Sequence, residues 1–169
     1  ARAAQMAFEV AGRPFRGAAI HCVNRIPLQR GLGSSAAAWV GGLAAANTVL
    51  GEPIDRQGLL TLAARAEGHP DNVAPCLLGG VTIAWTEGAG ARAVRLRAHE
   101  GVHPKVFVPA ERGYTASARA ALPHAVPHRD ASFNAGRAAL LTHAITGDPA
   151  LLLAATEDRL HQGYRAEAM

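Results

Sequence analysis

Three polar clusters interrupt an otherwise apolar chain, and each has residue types that can do chemistry. The first is Gly31-Leu32-Gly33-Ser34-Ser35. Its two glycines can take positive φ and leave no Cβ in the way of a ligand. Ser34 and Ser35 suit the N-cap of a helix, where free backbone N–H groups and the dipole's positive end make a ready anion site. Phosphate is the natural guest. A capped helix after a glycine turn would use the same residues. The cluster lacks the lysine of a Walker A loop, and GLGSS does not fit the GxSxG of a nucleophile elbow. What remains is a lysine-free anion cradle. Phosphoryl transfer asks a protein chiefly for positioning and charge neutralisation. Ser34 or Ser35 with Glu67 would supply oxygens to a magnesium ion, although a solvated helix-end charge is the plain alternative for Glu67. In the second cluster, residues 67–72 (EGHPDN), His69 and Asp71 lack a third ligand at a standard metal spacing. Binding a polar substrate through His69, Asp71 and Asn72 is the better use. The third cluster is Thr115 and Arg119, at i and i+4 of a short helix, with Arg119 placed to hold a carboxylate or to make a surface salt bridge.

The elements that must hold these residues follow from periodicity and punctuation. Residues 2–11 space their apolar positions for an amphipathic helix that Gly12 and Pro14 end. Residues 17–26 alternate loosely and read as a strand, with His21 as a structural histidine. A helix opens at Ser34 or Ser35 and runs to about Leu50, apolar nearly all round and therefore buried on several sides. Gly51 and Pro53 stop it, and Asp55 caps a helix over 56–66 with Leu59, Leu60, Leu62 and Ala63 inward. Residues 71–78 form a short helix broken by Gly79-Gly80. Residues 81–85 and 91–97 read as a hairpin, with Val94 and Leu96 on one face and Arg95 and Arg97 on the other. Residues 105–109 read as a third strand and 114–122 as a short helix. Asp130 caps a helix over 131–146 that Gly147 ends, and Asp148 caps a last helix over 149–161.

The whole-chain numbers bound the class. The 169 residues are 49% hydrophobic and 18% charged, so a packed core is expected and disorder is not. Aromatics are 5%, which leaves the core to Ala, Leu and Val. The formal charge of +4 is carried by scattered arginines, with Lys105 the sole lysine. That suits an anionic small molecule better than nucleic acid, which wants a dense basic stripe. Cys22 and Cys76 form no CxxC pattern and read as thiols in a reducing cytosol. No apolar run reaches membrane-spanning length. The start at Ala1, inside a helical pattern, suggests a piece of a longer protein.

With these residues in view the chain resembles a known family. Residues 26–47 (IPLQRGLGSSAAAWVGGLAAAN) are similar to the phosphate-loop signature of the GHMP small-molecule kinases. Residues 67–81 (EGHPDNVAPCLLGGV) resemble the segment typical of its homoserine kinase branch. The downstream strings 115–123, 130–141 and 157–165 resemble that branch in the same order.

That resemblance implies an α+β GHMP kinase fold. Residues 1–88 would be the later part of a ribosomal S5 domain 2-like nucleotide-binding domain, and residues 89–169 the earlier part of a ferredoxin-like domain. It implies ATP-dependent phosphorylation of the L-homoserine hydroxyl to O-phospho-L-homoserine, in threonine biosynthesis, in the cytoplasm. Pro27, Arg30, Gly31, Leu32, Gly33, Ser34, Ser35 and Ala36 would cradle ATP, and Ser35 and Glu67 would hold Mg2+. His69, Asn72, Arg119 and Arg165 would contact homoserine. Asn72, Thr115 and Asp71 would lie by the reacting hydroxyl, with transition-state stabilisation mattering more than a base. No nucleic-acid or membrane partner is implied, and a homodimer through the second domain is. Two alternatives stand beside this reading: a GHMP kinase for another alcohol, or a non-catalytic nucleotide-binding module. Family members are longer, so the chain alone is expected to turn over more slowly than one extended at both ends.

Overall fold

The computed structural model describes residues 1–108 and 120–166, which fall into two compact units: Ala1–Ile26 with Gly33–Leu96, and Pro27–Leu32 with the described residues from Arg97 onward. The hairpin expected at residues 81–97 lies almost wholly in the first.

The first unit is built around α2 (Ser34–Val49). Its buried positions Ala36, Val40, Leu43, Ala46 and Asn47 follow helical spacing. On this stripe pack α1 (Arg2–Val10), α3 (Arg56–Glu67) and α4 (Val73–Leu78). Small residues let α1 approach closely, since a Cβ on Gly42 would stand 2.8 Å from the Ala3 Cβ. The core has few aromatics, as the composition required, and its largest fully buried side chains are Leu43 and Val73. Asn47 is the one buried polar side chain among the described residues. Its amide donates to the Ile54 carbonyl at 2.8 Å and accepts from the Ile54 N–H at 3.0 Å. A polar side chain is tolerated at that depth because both its functions are satisfied, and it pins the turn joining α2 to α3. Asp55 caps α3, accepting from the Gly58 N–H at 2.7 Å.

Strands β1 (Val81–Glu87) and β2 (Gly90–Leu96) form an antiparallel hairpin with Ile83 opposite Val94 and Ala84 opposite Ala93. The expected alternation holds, and the face against the helices is the small one, Ala84, Ala91 and Ala93. Ile83, Trp85 and Val94 lie on the other face and are exposed.

Residues 17–26 are not a strand, which corrects the sequence reading. They are largely exposed, and their backbone groups meet no ladder partner among the described residues. Alternation marks a segment that fits a sheet but does not supply the neighbour. Residues 105–108 of the expected third strand are likewise unpaired, with Phe107 90% exposed.

In the second unit α5 spans His128–Thr146. Pro127 occupies its N-cap, and Asp130 lies inside the first turn rather than capping it. Asp148 does cap the turn after α5, accepting from the Ala150 N–H at 3.1 Å. The expected single helix over 149–161 is instead a 3-10 turn (Pro149–Leu151) and α6 (Leu152–Ala155) followed by a loop, and α7 (Gln162–Arg165) lies beyond it. Asp158 breaks it. One of its oxygens accepts from the Asn134 amide at 2.6 Å and the Leu160 N–H at 3.2 Å. The other accepts from the His161 and Gln162 N–H groups, at 2.7 and 2.5 Å. The Asn134 side-chain oxygen accepts from the Arg159 N–H at 2.9 Å. An aspartate that satisfies three backbone donors stabilises a turn over a continuing helix.

Candidate active site

The start of α2 is set by Gly33, which adopts the left-handed conformation at φ +72°. Its carbonyl accepts the first helical bond, from the Ala37 N–H at 3.0 Å. The N-cap expected of Ser34 or Ser35 therefore falls to Gly33, because the chain must turn through positive φ there and a serine would do so at a cost. No side chain caps α2. The two serines thus enter the first turn with their hydroxyls unused by capping, beside N–H groups that have no intrahelical acceptor. Ala36 is completely buried beneath this turn.

Ser35 commits its hydroxyl to Glu67. Its Oγ donates to Glu67 Oε2 at 2.7 Å, across 32 residues of sequence. Glu67 is the last residue of α3, and Gly68 then reverses the chain at φ +93° with its N–H on the Ala64 carbonyl. The reversal turns His69 onto Asp71, whose Oδ1 faces His69 Nδ1. The same oxygen accepts from the Asn72 N–H at 3.2 Å. Asn72 stands at the N-cap of α4 without using its side chain there. Its Oδ1 lies against the Gly33 turn instead, 3.9 Å from where a Cβ on Gly33 would be. Gly33, Ser35, Glu67 and Asn72 thus form one patch of the first unit, with His69 and Asp71 beside it.

The remaining expected residues are placed separately. In the second unit Gly31 has φ +70° and Gln29 a non-glycine φ of +57°, so the stretch Pro27–Leu32 is tightly turned. Arg30 donates to the Gln29 carbonyl at 3.3 Å. Arg165 ends α7. Thr115 and Arg119 lie outside the described residues. Sequence reasoning missed Asn134 and Asp158, although an asparagine facing inward on α5 and an aspartate followed by polar residues are both turn signals. It also missed the contribution of Gly33 as a cap.

The donor set at Ser35 and Glu67 is one hydroxyl and one carboxylate, both hard oxygens of the kind magnesium takes. Among the described residues no group of three or more His, Cys, Asp or Glu side chains is arranged to hold a metal, so a metal here would draw its other ligands from phosphate or water. No helix of the described residues is long and apolar enough to cross a membrane.

Residues 1–80 match the GHMP kinases N terminal domain. Over its whole length the chain resembles a solved homoserine kinase of Cytophaga hutchinsonii, with a TM-score of 0.78 at 26% identity. The fold is that of a GHMP kinase. The match covers 99% of this chain and 55% of that one. The sequence is 55% identical to a homoserine kinase of Streptomyces avermitilis, covering the whole chain and 56% of the relative. It is 53% identical to one of Clavibacter michiganensis over 96% of the chain and 52% of the relative. The chain therefore spans about half the length of the relatives it matches. Within the GHMP kinase fold, the glycine-capped start of α2 falls inside the matched domain, as does the Glu67–Asn72 turn.

Proposed function

We propose that this chain carries the phosphate- and metal-binding part of an ATP-dependent homoserine kinase. The observation that carries the reading is the 2.7 Å contact between Ser35 and Glu67 at the start of α2, where no side chain caps the helix. It joins two oxygens far apart in sequence at the one point where backbone N–H groups and helix dipole favour an anion. The relatives named as homoserine kinases support the acceptor.

In this reading Gly31–Ala36, with Pro27 and Arg30, bind the ATP phosphates. Ser35 and Glu67 hold Mg2+, which neutralises charge on the transferring phosphoryl group. Asn72 orients the homoserine hydroxyl next to the Gly33 turn. His69 is held by Asp71 and contacts the amino acid, and Arg119 and Arg165 take its carboxylate. Asp71 already accepts from Asn72 and faces His69. Its part is to fix that turn, and the hydroxyl proton needs no strong base where the transition state is loose. Thr115 completes the wall around the hydroxyl. The setting is the cytoplasm and threonine biosynthesis, with a homodimer through the second unit.

The test is ADP release from ATP–Mg2+ with L-homoserine, against mevalonate and galactose as rival alcohols. Turnover dependent on homoserine, reduced at least about a hundredfold in Asn72→Ala by loss of a transition-state hydrogen bond, supports the reading. Turnover with a rival alcohol in preference, or an Asn72→Ala variant as fast as the parent, contradicts it.

A further inference from the structure

A second concave feature lies in the first unit, on the opposite side of α3 from Glu67. It is a cavity of about 230 Å³ between the C-terminal half of α3 and the hairpin turn. Thr61 and Arg65 line it from α3, His69 closes one end, and Gly88, Ala89 and Gly90 form the far wall. At about 100° per residue, Thr61 and Arg65 project within about 40° of each other, and Arg65 about 200° from Glu67. The cavity is therefore not the Ser35–Glu67 site.

Arg65, Thr61 and Thr86 bring side-chain donors to its lining, beside His69. Among the described residues the Arg65 guanidinium has no hydrogen-bond or ion-pair partner. Thr61 Oγ1 accepts from the Gln57 amide at 3.2 Å, which leaves its own O–H to donate. The second Gln57 contact, to the Ala91 carbonyl at 2.5 Å, ties α3 to β2 and fixes the width of the gap. The Ala64 carbonyl is already taken by the Gly68 N–H at 2.8 Å. Ala64, Ala89 and Ala91, with Pro70 and the glycines, make much of the remaining lining small and apolar. A fork of donors over a small apolar floor recognises a planar anion with a short carbon chain.

We propose that this cavity binds a small carboxylate of amino-acid size, with Arg65 on the carboxylate and Thr61 donating to it. The cavity shares His69 with the turn given to homoserine above, while Ser35, Glu67 and Asn72 are absent from its lining. Gly90 offers a clean probe. Its φ is not in the left-handed region, and a Cβ there would sit 3.6 Å from Thr61 Oγ1, so alanine fits the backbone and only narrows the cavity.

The experiment is a 1H–15N NMR titration of the full chain with succinate, at constant ionic strength set by chloride. The result expected is saturable shifts confined to residues 61–69 and 86–91. Arg65→Gln weakens that binding at least about tenfold, the loss of one charge-assisted contact, and Gly90→Ala weakens it too, while both variants keep the parent's dispersed spectrum. Non-saturating shifts, shifts spread over the surface, or equal affinity in Arg65→Gln overturn the proposal. Inorganic phosphate is run in parallel, and tighter binding of phosphate than succinate overturns the carboxylate assignment.

Discussion

Asp158 shows how one side chain can shape a loop through its charge. Partial burial acts against its carboxylate, yet the Gln162 amide, the Asn134 side chain and the His161 and Leu160 amides outweigh it. The carboxyl is held well below the usual range. A depressed folded-state pKa contributes stability above the unfolded value of about 3.9 and loses it as pH falls below that value. Asp158→Asn should therefore be less stable than the parent near neutral pH in urea titrations. The gap should shrink as pH is taken below about 4. A gap that stays constant across that range would show that charge is not what the loop uses. The same bond set was hard to read from sequence. Residues 149–161 carry helical periodicity, and nothing in the pattern shows that Asn134, 24 residues earlier, would recruit Asp158 away from it. Ser35 and Glu67 were candidates by type, a hydroxyl at a helix start and a carboxylate at a helix end, and only the fold shows the two in contact.

At the scale of elements, neighbouring glycines in α2 behave differently. A Cβ on Gly42 would meet the Ala3 Cβ at 2.8 Å, whereas one on Gly41 meets nothing within 4 Å. Gly42→Ala should cost about 1–3 kcal/mol through overpacking against α1. Gly41→Ala should be neutral or stabilise by up to about 1 kcal/mol, the helix-propensity gain. Equal effects on the denaturation midpoint would mean that α1 does not pack on α2 this way. Asn47→Ala should cost about 2–4 kcal/mol, because it strands the buried N–H and C=O of Ile54. Thermal melting would show this as a lowered Tm, and an unchanged Tm would refute the role given to that amide. Helix positions were readable in the first unit because caps and stops are local: Asp55, Gly51 and Gly68 act on their own neighbours. Strand over residues 17–26 and 105–108 was over-read because pairing is not local, and alternation cannot report whether a partner strand is there.

At the scale of the molecule, the GHMP kinase fold was readable through the resemblance of residues 26–47 and 67–81 to segments of that family, since a glycine turn before a helix start fits a plain capped helix equally well. The packing that brings the two turns together was not. Only the folded chain shows Glu67 meeting Ser35 and Asn72 lying against Gly33. The cavity at Arg65 was likewise invisible, since one of its walls is the far end of a hairpin. The central claim is that the start of α2 and the end of α3 together bind a metal–nucleotide. Calorimetric titration of the full chain with ATP, with and without Mg2+, tests it most directly. Saturable binding that strengthens with Mg2+ is expected, with the Mg2+-dependent part lost in Glu67→Gln and reduced at least about tenfold in Ser35→Ala. Binding that ignores Mg2+, or that both variants retain at the parent's affinity, would contradict it.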